Sequence, residues 1–520
     1  MSETFYVTTP IYYVNDAPHI GHAYTTIAAD VLARYHRAAG RDVFFLTGTD
    51  ENASKVADAA AERGVDPQTH CDEVCLHFQD LWKALNISHD DFIRTTQPRH
   101  VQRVRNIITQ LLDRGQIYLG EYSGWYDPGQ EEFVTEQAAR RNEYTSPISG
   151  KPLQRYSEPS YFFRLSRWTD RLLAHVEAHP EFIQPESRRN EVVSKVRAGV
   201  EDLSISRSSL SWGIEMPNDP SHRVYVWIDA LSNYITALGW PEVGDACDGV
   251  HMKYWPADLH LIGKDILWFH TVYWPCMLMA LDVELPRTVF AHGWWTSEGR
   301  KMSKSLGNFI SCEVIAELCR EYSRDAFRYF VLREVPFGLD GDFSRDALKS
   351  RYNAELANDI GNLLSRTVHM IGRYFDGAVP APQGRSLAGL EAEMLGAAVT
   401  ALHEQAEGLM RQCRFSDYIR AVLDLASATN RYIDTTQPFQ LAKDPAQRDR
   451  LGTILYSCAE AVRIVLSYLE PVMPEKAEEG LRQLGLAGGG AQPLDARTRW
   501  AGLAPGTALA QSNPLFPRAS

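Results

Sequence analysis

The chain has 520 residues, more than one hydrophobic core usually serves, so two to four domains are expected. Apolar residues make up 44% and charged residues 23%, the proportions of a globular protein. Fifty-three Lys and Arg against 66 Asp and Glu leave a net charge of −13, which excludes a general nucleic-acid coat but not a local basic face.

The opening, MSETFYVTTPIYY, lacks a cationic segment followed by an apolar one, and no run approaches 18 apolar residues. Neither a secretory signal nor a membrane span is expected. The eight cysteines (71, 75, 247, 276, 312, 319, 413 and 458) include no C-x-x-C pair, which points to reduced thiols in a cytoplasm and against a cysteine-held zinc.

In chain order, FYVTTP (5–10) reads as a short strand ended by Pro10, and a helix follows from His19 to Gly40. RDVFFLTGTDE is a near-continuous apolar strand of the kind covered on both faces, and a helix resumes from Asn52 to about Arg63. Strand, helix, strand within about fifty residues predicts a parallel sheet. Residues 116–224 are short aromatic runs broken by Gly and Pro, more antiparallel in character. Strand-like runs return in RVYVWIDAL, DLHLIGKDILWFHTVYWPCML and RTVFAHGWWTS, so the simplest organisation is one α/β sheet split by an inserted module. From Asp346 the pattern is helical over 346–375, 386–413, 416–435 and 446–470, which predicts a bundle. The Gly/Ala/Pro-rich tail after Ala487 is expected to be irregular and packed back over the body.

Two motifs carry chemistry. His19-Ile20-Gly21-His22 falls where the first strand gives way to a helix, a position suited to phosphate because helix N-termini carry free N–H groups and partial positive charge. The same pair also suits a buried structural role or, less well, a metal, since a catalytic zinc usually takes three protein ligands. The second motif, GRKMSKSLGN, places Arg300, Lys301 and Lys304 in a Gly/Ser-rich loop after TVFAH. Such a loop can neutralise charge growing on a departing pyrophosphate, although a solvated basic turn has the same composition.

Taken together, the two strings resemble the signatures of class I aminoacyl-tRNA synthetases. TPIYYVNDAPHIGH, FFLTGTDE, SYFFRLS, DLSISR, WGI, YVWIDAL, HLIGKDILWFH and GRKMSKSLGN resemble the blocks of the methionyl-tRNA synthetase family, in family order. The resemblance implies a Rossmann-like α/β catalytic domain (1–115 and 225–300) split by a connective module (116–224). A KMSKS and stem-contact region (301–350) and an all-α anticodon-binding bundle with its tail (351–520) would follow.

It further implies activation of methionine by ATP and Mg2+, then transfer to initiator and elongator tRNA, by a cytoplasmic, membrane-free monomer. His19, His22, Lys301 and Lys304 would be catalytic and hold ATP, with Gly21 beneath the adenine. Ile11, Tyr13, Trp227, Ala230, Leu231, Tyr234, Ile266 and His270 would hold the thioether, Asp50 would receive the α-ammonium, and Asp265 would bind ribose or the amino acid or orient Lys264. Asn362, Arg366 and Phe439 would read the anticodon.

The sequence also departs from the family pattern. Asp127, Gln130, Ser146 and Ser149 stand at the spacing where many relatives have zinc-binding cysteines, so no structural zinc is expected. DENA (50–53) replaces the usual Asp-Glu-His-Gly, and Pro438-Phe439 replaces Pro-Trp. Rival readings are a class I enzyme for another amino acid and a non-catalytic tRNA-binding protein.

Overall fold

The structure, a computed structural model, describes residues 3–129, 132–134, 136–208, 210–242, 249–297, 299–302, 308–383, 392–486 and 492–519. β1 (Thr4–Tyr13), α1 (Ile20–Ala38), β2 (Asp42–Asp50), α2 (Ser54–Arg63), α3 (Pro67–Ala84), β3 (Asp91–Arg94) and α4 (Pro98–Asp113) open the chain. β4 (Ile117–Asp127), β5 (Glu132–Val134), α5 (Glu136–Arg141), β6 (Gln154–Phe163), α6 (Thr169–Ala178), β7 (Ile183–Gln184), α7 (Glu186–Arg197) and β8 (Leu203–Ser204) come next. Then follow β9 (Ser206–Arg207), β10 (Glu215–Met216), β11 (Asp219–Val224), α8 (Val226–Thr236), β12 (Leu259–Gly263), α9 (Trp274–Leu281) and β13 (Val289–His292).

Six described strands form a parallel sheet in the order β3-β2-β1-β12-β13-β7. Successive side chains point to opposite faces. Phe5, Val7, Val43 and Phe45 therefore feed one core with α1 and α3, while Tyr6, Phe44 and Leu46 feed the other with α4, α8 and α9. β7, drawn from within 116–224, returns to the edge of this sheet beside β13.

Two local expectations are corrected. β1 does not end at Pro10 but runs to Tyr13, because the register shifts between Thr8 and Ile11 and a bulge tolerates a proline. VWIDAL is not a strand but opens α8, buried along nearly its whole length. A short, wholly buried apolar run has no periodicity to separate the two forms.

In the inserted stretch, β5-β4-β6-β8 is an antiparallel sheet. Asp127 and Ser146 are buried there. Asp127 Oδ1 accepts from Gly129 N (2.8 Å) and Ser149 Oγ (3.2 Å), and Ser146 Oγ accepts from Ser149 N (3.0 Å). Gln130 lies outside the described residues.

Beyond β13 come β14 (Trp295–Ser297), β15 (Arg300–Lys301), α10 (Cys312–Tyr322), α11 (Arg324–Arg333), β16 (Gly341–Phe343) and α12 (Arg345–Arg351). The predicted 346–375 helix is interrupted by a π-helical stretch, Tyr352–Gly361, before α13 (Asn362–Tyr374). α14 (Ala392–Arg411), α15 (Phe415–Thr436), α16 (Pro438–Leu441), α17 (Arg448–Leu469) and α18 (Pro474–Gln483) complete the bundle. The first residues of the predicted 386–413 helix lie outside the described residues. After α19 (Leu494–Thr498) the tail is irregular; it buries Leu515 and Phe516 and is pinned by Asn353, which exchanges two hydrogen bonds with Ala519. One described helical stretch, Pro445–Leu469, is long and apolar enough to cross a membrane, but 89% of its apolar 18-residue window is buried inside the fold, as in a core helix.

A buried ion pair joins the two halves. Arg328 on α11 lies 2.7 Å from Asp30 on α1, both fully buried. Its guanidinium also donates to Leu85 O, Pro471 O and Val472 O, reaching the end of α17. Burial alone would raise the Asp30 carboxyl, but Arg328, Arg34 and two bonds from Ser88 hold it below the ordinary value. Arg328→Met should therefore destabilise the protein by about 3 kcal/mol, since it strands a buried carboxylate. Urea-unfolding midpoints will show it, and Asp30→Asn added to Arg328→Met should recover part of the loss.

Candidate active site

The end of α1 shows how the two histidines are used. His19 is the N-cap, its Nδ1 accepting from Gly21 N at 3.0 Å, and His22 Nδ1 accepts from His19 N at 3.2 Å. Each neutral ring has then committed its lone pair to the backbone, so its proton sits on Nε2 as a donor. Burial, reinforced by neighbouring His19, pushes His22 well below the usual imidazole range. Two neutral N–H donors at a helix N-terminus suit a phosphate and disfavour a metal. Among the described residues no group of three His, Cys, Asp or Glu is placed to hold a metal ion.

Gly21 has a tighter reason than room for a base: a Cβ there would lie 2.8 Å from Cε1 of the His19 ring.

The segment that follows the second motif meets the first. Ile20 N donates to Ile310 O (3.0 Å), Cys312 N to Pro18 O (3.1 Å), and the Phe309 ring stands edge-on to His19 at 5.3 Å. The lysine loop is therefore anchored on its far side by the His-Ile-Gly-His turn. On its near side Lys301, in β15, pairs with Thr296 of β14. Lys304 lies outside the described residues, as does the side chain of Lys301.

Beside this turn opens a cavity of about 650 Å³. His19, Gly21 and His22 line it together with Ile11, Tyr13, Asp50, Trp227, Ala230, Leu231, Tyr234, Asp265, Ile266 and His270. These residues come from the carboxyl ends of β1, β2 and β12 and from α8, where ligands bind in an open α/β sheet. Register sets Tyr13 opposite Asp50 and Ile11 opposite Gly48, whose missing Cβ lets Ile93 O approach.

The inner wall is a closed aromatic network. His270 Nδ1 donates to Ile266 O (3.0 Å), leaving Nε2 to accept the Tyr234 hydroxyl at 2.7 Å. Burial lowers His270 to about 4, so it is neutral at physiological pH. Trp227 stacks on Phe269, centroids 3.7 Å apart, and meets Tyr13 edge-on. With the Tyr234 hydroxyl and both His270 nitrogens spent internally, the wall offers polarizable surface, which suits sulfur. Trp274 is fully buried and donates to His260 Nε2 (3.4 Å), a core role.

Asp265 accepts from Trp294 Nε1 (3.1 Å) and does not orient Lys264, which pairs with Asp340 at 2.7 Å. Sequence reasoning missed several lining residues: Tyr12, Thr25, His292, Trp294, Trp295, Met302 and Phe309. For His292, Trp294 and Trp295 the HGWWTS run at the end of β13 was the available signal. His292 donates from Nδ1 to Gly293 O and accepts the Thr25 hydroxyl at 2.6 Å, tying β13 to the first turns of α1.

In the bundle, Asn362 is exposed at the start of α13. Arg366, one turn on, reaches Asp434 (3.0 Å) in the last turn of α15. Past the Gln437 turn, Phe439 is 44% exposed, unusual for a phenylalanine.

The model of the family "tRNA synthetases class I (M)" matches residues 5–142 and 142–368. The Methionine–tRNA ligase of Caldanaerobacter subterraneus subsp. tengcongensis is 48% identical over 523 aligned positions, spanning 100% of this chain and 79% of that protein. That of Bacillus subtilis is 45% identical, spanning 99% and 78%. The structure of Mycobacterium tuberculosis methionyl-tRNA synthetase in complex with methionyl-adenylate superposes with a TM-score of 0.92 at 42% identity, covering 99% of this chain and 100% of that one. Fold and site thus define a class I tRNA synthetase. Within that class, the chain belongs to the methionyl-tRNA synthetase family.

The buried histidines make a pH prediction. His22, His260, His270 and His292 all lie below the ordinary 6.5, chiefly through burial, so they stay neutral when folded. Below pH 6.5 the unfolded chain binds more protons than the native one, so stability falls as pH drops toward 4. The slope is at most about 1.4 kcal/mol per pH unit per histidine. Urea midpoints at pH 7, 6 and 5 should fall in that order, and His270→Gln should flatten the decline.

Proposed function

We propose the following division of labour for the family reaction, ATP-dependent ligation of methionine to tRNA. Methionine carboxylate attacks the α-phosphorus of ATP, forming methionyl-adenylate and releasing pyrophosphate. A terminal ribose hydroxyl of methionine tRNA then attacks the adenylate carbonyl and AMP leaves. The carboxylate is already a nucleophile, so the protein's work is positioning and charge stabilisation.

His19 and His22 donate from Nε2 to the phosphates of ATP, and the adenine lies along the Gly21 turn. Lys301 and Lys304 neutralise the departing pyrophosphate. Asp50 receives the α-ammonium, a charge-assisted contact at the buried end of β2. Ile11, Tyr13, Trp227, Ala230, Leu231, Tyr234, Ile266 and His270 enclose the thioether, and Asp265 at the rim takes the ribose or the amino group. The observation that carries this reading is the meeting of both motifs on one cavity with a neutral aromatic wall and a buried carboxylate.

The cavity's described lining offers scattered carboxylates rather than an all-protein cage, which fits Mg2+ carried on the phosphates of ATP. The ion would neutralise phosphate charge there. Asn362 and Arg366 supply base-edge and phosphate contacts to the anticodon and Phe439 a stacking surface. Initiator and elongator tRNA are both substrates of a monomer working in the cytoplasm. The boundaries 1–115, 116–224, 225–300, 301–350 and 351–520 describe its division. The inserted module folds without zinc, its turns closed by the Asp127–Ser149 and Ser146 bonds.

Methionine-dependent ATP–pyrophosphate exchange should exceed that with cysteine, valine, isoleucine or leucine; no preference for methionine overturns the assignment. Lys304→Ala should lower the exchange rate about 100-fold with little change in methionine KM. Asn362→Ala with Arg366→Ala should raise the KM for tRNA about tenfold or more while exchange stays intact. Elemental analysis of purified protein should find less than stoichiometric zinc.

A further inference from the structure

The run Asp50-Glu51-Asn52-Ala53 leaves the strand at the cavity, and Asn52 points away from it into a buried polar chain. Its Nδ2 donates to Asp229 Oδ2 at 2.8 Å and to Thr95 O at 3.2 Å. The other oxygen of Asp229, Oδ1, lies 2.6 Å from His100 Nε2, and His100 Nδ1 lies 2.7 Å from Thr236 Oγ1. Asn52, His100 and Asp229 are 6%, 0% and 1% exposed, and none is among the residues lining the cavity.

This chain ties opposite walls together. Asn52 sits two residues after Asp50, and its backbone N–H approaches Asp50 Oδ1 at 3.4 Å. Asp229 and Thr236 lie near the two ends of α8, the helix that presents Trp227, Leu231 and Tyr234 to the cavity. The separation between the carboxylate end of the pocket and its aromatic end is thus spanned by one buried hydrogen bond, Asn52 to Asp229. His100 holds α8 from behind at both of its ends.

We infer that the Asn52–Asp229 bond, backed by His100, is a clamp that fixes the length of the amino-acid pocket and with it discrimination against side chains one carbon longer. The three are positioning residues. The inference rests on the assignment of Asp50 to the ammonium and of α8 to the thioether. A charged buried hydrogen bond is among the stronger ones, so its loss lets the walls move. A tight apolar pocket separates ligands differing by one methylene about tenfold or more, and that margin is what a shifted wall erodes.

The test is ATP–pyrophosphate exchange by the full-length protein with methionine and with ethionine, one methylene longer. Asn52→Ala should raise the methionine KM about tenfold, leave the ATP KM within about twofold, and lower the methionine-to-ethionine ratio of kcat/KM about fivefold. Asp229→Asn still offers an oxygen to Asn52 and an amide to the other tautomer of His100, so its ratio should stay within about twofold of the parent. Thr236→Val, nearly isosteric, should shift the ratio in the same direction by less. The clamp is overturned if folded Asn52→Ala, or Thr236→Val where the former is insoluble, leaves the ratio unchanged. It is equally overturned if the methionine and ATP KM rise together. Asp50→Asn separates the layers: an unchanged methionine KM there removes the underlying assignment, whereas a raised one beside an inert Asn52→Ala removes only the clamp.

Discussion

Helix α1 is the member on which the rest is hung, and the Asp30–Arg328 pair is what holds it. Its N-terminus is the His-Ile-Gly-His turn, its flank packs under β1 and β2, and its middle carries a carboxylate buried against a guanidinium from α11. A buried ion pair is poor value as stability when compared with apolar packing, but it accepts only one arrangement of its partners. Arg328 spends its remaining donors on carbonyls from the α3 end and the α17 end. The helix whose N-terminal turn lines the cavity therefore has one position relative to both the sheet and the bundle. The core reflects this, running without a break from α1 through α11 into α15 and α17.

Electrostatics at the cavity follow an unexpected division. Its described lining contains Asp16, Asp50 and Asp265 and no lysine or arginine, in a chain already carrying −13. Lys264, the nearby cation, is engaged by Asp340 and lies over the Trp294 ring. The histidines contribute N–H dipoles without charge. On the proposed reading, positive charge for the polyphosphate comes chiefly from the lysine loop and the ion carried by ATP. Stabilisation then arrives with the loop and not before it, which favours the transition state over bound ATP.

Much of this was legible in the sequence because it is local. Strand, turn and helix from Phe5 to Gly40 follow from composition and period, and each of the two motifs is a short contiguous string. What escaped was decided by tertiary context. Proline at position 10 reads as a strand end unless the bulge beside it is known. VWIDAL reads as a strand because a helix buried on all sides loses its period. His100, Asp229 and Asn52 are far apart in sequence and individually ordinary, and only their burial together gives them meaning. The π-helical stretch before Asn362 has no sequence signature of its own. Position 52, where the sequence departs from the family pattern, is hydrogen-bonded inside the protein, which a pattern alone does not show.

On the proposed zinc-free reading, the inserted module poses the question of what does a metal's work. A structural zinc supplies of order 10 kcal/mol to a small domain that would otherwise not fold. Hydrogen bonds at Asp127, Ser146 and Ser149 contribute about 1 kcal/mol each and cannot match that figure. They satisfy the turn amides and bring the two turns together, which is the geometric half of a metal's task. On the zinc-free reading the energetic half must come from elsewhere, and the long β4–β6 ribbon is the extended contact available to supply it. Pairing runs unbroken from Ile117 opposite Phe163 to Tyr126 opposite Gln154, rooted in the main body through buried Phe163 and through β8. On that reading a module anchored in this way needs only its tip closed, and a carboxylate with two hydroxyls closes it.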